Sequence, residues 1–440
     1  MQHRDTQLLR VTLLAVGVAL LASGAAEALR ALIAVCTNLF YFQRLSAVPV
    51  SPWQHQLGAW AIAVPILGGL LVGGLARWGS PAIRGHGIPE SMERVLRHES
   101  RIPKRLAVLK PLSAAIAIGS GGPFGAEGPI IATGSALGSM LGQLLPVSTR
   151  ERKALLAAGA AAGMTATFGS PLSAVLLAIE LLLFELSPLV LVPVVTAAAV
   201  AAVVRVALRG GAAEFAMPAL AAPGLAVTIA CAAIGAALGV AAVALTSAVY
   251  GIEEAFERLP LHFMWWPALG GIAVGVLGWF EPRILGVGYT NITATLDGSL
   301  AGRALAMLCL LKGLAWLLAL GSGTSGGTLA PLFTLGGGLG VLLGSLLGAA
   351  FPSLGLDPHL AALVGMAALF AGASHAMLAA AVFACEVTGQ TAALAPLLVA
   401  CAAAYLVAGL ISHSSIMTRK IERRGIHVPR EFGPMMDPVA

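Results

Sequence analysis

Apolar residues gather along this chain in long blocks separated by short polar breaks. The blocks cover 11–25, 58–76, 153–167, 189–204, 225–249, 304–320 and 360–385. Several approach the ~20 residues that a helix needs to span hydrocarbon. The others are shorter, which predicts tilted, broken or re-entrant helices. The breaks are rich in glycine and proline. Three of them, GHGIPE (85–90), GAEGP (125–129) and GGTLAP (326–331), each place a proline where a following helix would begin. Proline is tolerated in a first helical turn because its missing N–H has no intrahelical partner there anyway.

The pattern also repeats. GSGGPFGAEGP (119–129) set over GSGTSGGTLAP (321–331) gives identities at Gly119/Gly321, Ser120/Ser322, Gly121/Gly323, Gly125/Gly327 and Pro129/Pro331. A second pair, MTATFGSPLSAVLLAIE (164–180) and FAGASHAMLAAAVFACE (370–386), matches at Leu172/Leu378, Ala174/Ala380, Ala178/Ala384 and Glu180/Glu386. The chain therefore divides into two homologous halves, 1–215 and 216–440, with the seam in the Gly/Pro-bearing stretch 208–224. Repeated, interrupted hydrophobic segments mark transport folds whose sites lie between broken helices near the midplane. The expected fold is all-α and polytopic, with two repeats, inverted if each half holds an odd number of spans.

Composition strengthens the membrane reading. Hydrophobic residues make up 58% of the 440 positions and charged residues only 10%, too few for a water-facing surface of this size. Glycine, at 53 residues, suits close helix approach and non-helical backbone around a cavity. The net charge of +6 is thin, and its one dense stretch, TRKIERRGIHVPREF (418–432), reads as a positive-inside anchor. No basic folded face accompanies it, so nucleic acid is not an expected partner. The five cysteines lie in apolar runs without a CxxC pair and are expected to be packing residues. Arg4 and Arg10 followed by an apolar stretch imitate a signal peptide, but the segment is read as a retained first helix.

A break followed by a helix leaves backbone N–H groups unpaired at the positive end of the helix dipole, a setting that binds anions. Three such ends in one membrane chain, two of them related by the repeat, point to an anion pathway. Glu127 is an acid inside one of them. A carboxylate at bilayer depth is costly unless it is paired or functional. The helix N-termini that would hold it suit an inorganic anion equally well, so Glu127 reads as a tethered competitor for the substrate; the plainer alternative is an N-terminal cap.

These segments resemble the chloride channel and transporter (CLC) family. The family signatures G-S-G-I-P-E, G-R/K-E-G-P and G-G-x-F-x-P read here as GHGIPE, GAEGP and GGTLAP. The run 163–185 is similar to the helix after the second signature, CEVTG (385–389) to its counterpart, and SSIMTRKIERRG (414–425) to the last helix. The resemblance implies that Glu127 is the gating residue, whose ionised carboxylate occupies an anion site and swings away when protonated. It implies anion ligands at His86, Gly87, Ile88, Pro89 and Met417 and at the backbone of Ala126, Glu127, Gly128, Thr328, Leu329 and Ala330. Lys110 matches a buried lysine that offsets negative charge, and Lys312 either faces an anion vestibule or snorkels to the interface. A homodimer with one pore per subunit is also implied; separately, the lean loops suggest a prokaryotic inner-membrane location, and no residue pattern for a cofactor or a metal is found.

The departures carry their own expectations. His86 stands where the family has a serine donor, and it either biases anion choice or adds pH dependence, or else points away and leaves backbone ligands in charge. Met417 stands where the family has a tyrosine, and a thioether cannot donate a hydrogen bond. Exchangers of the family carry a second glutamate directly after the first on the helix behind the gate; AIELLLFE supplies Glu180 and then Leu181, leaving Glu180 and Glu185 as candidates for a proton route. Glu180 and Glu386, related by the repeat, alternatively serve as structural hydrogen-bonding groups at helix ends. The expected function is transport of chloride or a similar small monovalent anion, such as nitrate or bicarbonate, uncoupled or weakly coupled to protons, with a proton/anion exchanger as the alternative. A rival of another class is an intramembrane serine protease using Ser325 in GTSG (323–326) and His375.

Overall fold

The computed structural model describes residues 2–429 and holds helices with a single isolated bridge between extended residues. The first half runs α1 (Gln2–Phe42), α2 (Ala63–Gly74), α3 (Ile88–Arg97), α4 (Leu106–Gly119), α5 (Glu127–Leu144), α6 (Thr149–Phe168), α7 (Pro171–Ala178) and α8 (Pro188–Arg209). The second half runs α9 (Leu225–Glu257), α10 (Trp266–Phe280), α11 (Tyr289–Leu296), α12 (Gly302–Gly321), α13 (Leu329–Ala350), α14 (Pro358–Ser374), α15 (Met377–Thr388) and α16 (Leu394–Ile411), followed by the short α17 (Arg419–Glu422). Each helix of the first half has a counterpart eight places on. The packing repeats too: α5 lies on α6 as α13 lies on α14, α1 on α8 as α9 on α16, and α2 and α7 meet their own counterparts α10 and α15 across the seam.

Local chemistry sets the helix starts. Ser148 Oγ accepts from the Glu151 amide and Glu151 accepts from the Ser148 amide, a reciprocal box that opens α6. Asp357 caps α14 through the His359 amide, and α7, α8 and α14 carry proline in their first turn. The central helices pack backbone to backbone. A β-carbon on Gly134 would lie 2.1 Å from the Gly159 carbonyl, and one on Gly336 would lie 2.5 Å from that of Gly365, so the α5–α6 and α13–α14 crossings are repeat-related glycine contacts.

Seven helices among the described residues are long and apolar enough to cross a bilayer. α4, α10, α14 and α15 are shorter apolar helices, as the short sequence blocks predict. Helix α6 is buried along nearly its whole length and forms an inner post of the bundle, away from lipid. The outer helices instead present rows of exposed leucine, valine and tryptophan, including Leu9, Leu13, Leu20, Val203 and Leu410, the surface expected of a chain solvated by lipid. Helix α1 packs against α4, α5, α6 and α8, so the signal-like segment is an integral member of the bundle. The chain between α8 and α9, where the seam is expected, is non-helical. The end of the basic tail, 430–432, lies outside the described residues.

Candidate functional site

The two glycine-rich breaks that the repeat singles out meet at the centre of the molecule. Gly125 and Gly327 form an antiparallel bridge: each amide donates to the other's carbonyl, at 3.1 and 2.9 Å. Directly after this bridge α5 begins at Glu127 and α13 at Leu329. A third helix end joins them. A β-carbon on Gly128 would lie 2.0 Å from the His86 carbonyl and 3.2 Å from the α-carbon of Gly327, so only glycine lets the entry to α3 and the entries to α5 and α13 converge. Ala126, Glu127, Gly128, Thr328, Leu329 and Ala330 are all buried here, as are His86 and Ile88. The first N–H groups of a helix have no intrahelical acceptor, so the convergence concentrates partial positive charge at one point.

Glu127 lies on that point. Its side chain is fully buried, and neither carboxylate oxygen makes a hydrogen bond. The carboxylate folds back over the Gly125–Gly327 bridge, facing its own amide, that of Ala330 and the Tyr289 hydroxyl. A cap would satisfy the carboxylate with short N–H bonds. This one is poised over amides from both halves without being fixed by either.

Beside the α3 entry lies a charged cavity of about 520 Å³, lined by Gly87, Glu90, Lys110, Ala132, Lys420 and Arg424 among others. Its floor is built from ion pairs. Lys420 contacts Glu90 at 3.4 Å, Arg423 contacts Glu254 at 2.9 Å and Arg424 contacts Glu93 at 2.7 Å. The basic tail, expected as an anchor, is thus tied to α3 and α9 and carries Met417 into the core, where it is fully buried. Burial alone would raise the Glu90 carboxyl, but Lys420 and Lys110 hold it down to about 2. His86 sits in the loop before α3 with its imidazole facing the Ile416 carbonyl. Burial, with Lys420 and Lys110 acting in the same direction, pushes it down to about 4 although Glu90 opposes the shift, so the ring is neutral at ordinary pH.

Two of the expected anion ligands cannot donate. Pro89 has no N–H. The Gly87 amide donates to Glu90 Oε2 at 2.9 Å, so it is occupied within the α3 capping box. Tyr250 of α9 was not singled out in the sequence, yet its hydroxyl donates to the Ile416 carbonyl at 2.8 Å and steadies the segment carrying Met417.

The supporting residues come in mirrored sets. Lys110 Nζ donates to the carbonyls of Ile83 and Gly85 at 2.8 and 2.7 Å, and Lys312 Nζ donates to those of Ile284 and Gly286 at 3.1 and 3.2 Å. Lys312 therefore neither faces a vestibule nor snorkels; it is fully buried and braces a loop, as Lys110 braces the matching one. Glu180 accepts from the amides of Leu378 and Ala379 at 3.1 and 2.9 Å. Glu386 accepts from those of Leu172 and Ser173 at 3.0 and 2.8 Å. Each carboxylate caps the helix on which its counterpart rides. Glu185 pairs with Arg150 and with Lys153, the latter at 3.5 Å. Burial would raise its carboxyl, but the Arg150 and Ser187 hydrogen bonds and the Lys153 charge hold it below its ordinary value. Leu181 is buried beside a smaller cavity that also holds Glu180, His375 and His413.

Ser325 and His375 are differently employed. Ser325 Oγ lies 3.1 Å from Ser113 Oγ in the central break, whereas the His375 ring packs edge-on against Tyr405 at 5.5 Å.

A second cavity, of about 370 Å³, is lined by Ala126, Gly288, Tyr289, Arg30, Arg209 and Glu214 among others. Here Arg209 contacts Glu27 at 2.5 Å and Arg205 contacts Glu214 at 2.8 Å. The loop before α11 went unnoticed in the sequence, yet PRILGVGY (282–289) repeats PAIRGHGI (81–88) at Pro81/Pro282, Ile83/Ile284, Gly85/Gly286 and Gly87/Gly288. Counterparts α3 and α11 thus border two different cavities.

Known proteins share this pattern. The profile of the family described as Voltage gated chloride channel matches residues 68–409. A protein of Ralstonia nicotianae named "Putative chloride channel protein ClcB-like" is 29% identical over 376 residues, covering 84% of this chain and 86% of its own. The Escherichia coli protein named "Voltage-gated ClC-type chloride channel ClcB" is 29% identical over 386 residues, covering 84% and 88%. Among solved structures, a slow cyanobacterial Cl⁻/H⁺ antiporter superposes with a TM-score of 0.81 at 24% identity, covering 95% of this chain and 97% of that one. A CLC-type fluoride/proton antiporter gives 0.78 at 22% identity, covering 93% and 98%. At these identities the structures speak to the fold.

Proposed function

This chain belongs to the voltage gated chloride channel family, an integral membrane family of anion channels and transporters, and from that premise we propose that it carries chloride or a similar small monovalent anion past the N-termini of α5 and α13, with Glu127 as the gate. One observation carries this reading: a fully buried carboxylate lies without a hydrogen bond over amides contributed by both halves. An ionised Glu127 competes with the anion for that position. Protonation removes the competing charge and frees the side chain to leave. The donors are the amides of Ala126, Glu127, Gly128, Thr328, Leu329 and Ala330, with Ile88 at the α3 entry; Lys110 and Lys312 act by holding the flanking loops. The repeats 1–215 and 216–440 work as one membrane unit, in a homodimer in the inner membrane.

Flux is uncoupled from protons, or only weakly coupled. Leu181 offers no exchangeable proton, Glu180 is engaged as a helix cap and Glu185 is ion-paired. Proton/anion exchange is the second reading, favoured by the antiporter names of the solved relatives. Vesicles holding the purified protein under an imposed chloride gradient separate the two. Anion flux without uphill proton movement supports the first; protons moving uphill in fixed ratio to the anion overturn it. In the same vesicles Glu127→Gln, which mimics the protonated acid, should conduct without pH dependence. Retained pH dependence removes Glu127 from the role of gate.

A further inference from the structure

We propose that Tyr289 is a latch for this gate, a positioning residue whose hydroxyl holds the ionised Glu127 carboxylate in its closed arrangement; the proposal rests on the reading of Glu127 as the gate. Tyr289 is the first residue of α11, set by the left-handed Gly288 that precedes it. Its hydroxyl oxygen is shielded from solvent and has no hydrogen-bond partner, and the same is true of both oxygens of Glu127. Buried donors and acceptors are normally paired, so two facing, unpaired groups of complementary kind call for an account. These two face each other. The ring is fixed edge-on between Phe168 and Phe215, at 5.9 and 5.6 Å, and a phenylalanine would pack there equally well. What the tyrosine adds is a hydroxyl donor facing the gate.

The two halves separate these parts. At the repeat position of Glu127 the second half has Leu329, and at that of Tyr289 the first half has Ile88. Each half therefore contributes one polar residue that the other lacks, and the two meet at the same point. A donor to the ionised carboxylate favours the charged, closed form. When Glu127 takes up a proton, the hydroxyl loses its charged acceptor and the side chain is released. The charged neighbours here are Glu214, which acts on Tyr289 and is paired with Arg205, and Arg30 and Arg209 in the cavity wall. On the other elements packed around the gate, Lys110 and Lys312 are committed to loop carbonyls.

The test is anion flux against pH for the full-length protein in vesicles. Tyr289→Phe should keep its maximal flux and move the half-activation point upward by about one to two pH units, the size of a hydrogen bond to a charged group. In a Glu127→Gln background the same substitution should change nothing. Replacing Tyr289 by 3-fluorotyrosine, which keeps the ring and strengthens the donor, should move the point downward, and it serves as the deciding measurement if Tyr289→Phe fails to assemble. An unmoved half-activation point overturns the latch while leaving the gate standing. If Glu127→Gln itself remains pH-dependent, the gate falls and the latch with it.

Discussion

Replacing Glu386 or Glu180 by glutamine tests whether these carboxylates are structural caps or part of a proton route. Each accepts two backbone N–H bonds, at 2.8 and 3.0 Å for Glu386 and at 2.9 and 3.1 Å for Glu180. Glutamine keeps one acceptor oxygen and turns an NH₂ toward the second amide. One charge-assisted bond is lost and one partly buried N–H is left without a partner, a loss of about 2 kcal/mol per variant. The near equality of the two geometries predicts near equality of the two losses. For a chain of 440 residues that corresponds to a fall of roughly 2 °C in melting temperature. Cys231, Cys309 and Cys401 are buried, so thermal unfolding in detergent can be followed by their reaction with a thiol-specific dye. Both variants should melt earlier by similar amounts, and both should conduct anions normally at low temperature. Unchanged melting in both, together with flux lost in Glu180→Gln alone, would refute the capping argument and return Glu180 to a proton route.

Two further outcomes follow from the charged cavity and from Glu185. His86→Ser should alter the preference among Cl⁻, Br⁻ and NO₃⁻ while leaving the pH profile between about 5.5 and 8 unchanged, because an imidazole held at about 4 is neutral across that range; unchanged relative permeabilities would place the ring outside the anion route. Glu185 is held below its ordinary value, so its pairing stabilises the fold fully above the unfolded carboxyl's pKa and is lost as pH falls through the folded one. Glu185→Gln should therefore melt earlier near neutral pH, by about 1–2 kcal/mol, and converge with the parent in acid; a constant gap down to pH 3 would contradict the assignment.

The sequence was most legible where a short motif recurs. The glycine breaks around Glu127 and Thr328, and the carboxylates at 180 and 386, announced the duplicated architecture and the central helix entries. The loop of Tyr289 was no less repeated, but its four identities are spread over eight residues and it lacks the proline that marks the other helix starts. Partner choice was not legible. Whether Lys312 reaches a vestibule or two carbonyls depends on where α12 meets the loop at 284–286, and no local pattern encodes that. The Gly87 amide looked free by its position before a helix, yet Glu90 three residues on occupies it. That exchange was readable as a glycine-led variant of a capping box.

The reciprocal caps also bear on how the chain is made. The amides of Leu172 and Ser173 find their acceptor on Glu386, about 214 residues later. At a synthesis rate of 5–20 residues per second, the start of α7 waits roughly 10–40 s for its partner. Gly125 waits almost as long for Gly327. During that interval the first half sits in the bilayer with its central break open and its polar backbone unmatched, exposed to water, lipid headgroups and membrane proteases. Completion of the second half closes these gaps together, so quality control of this protein has a natural time window, set by the distance between the repeats.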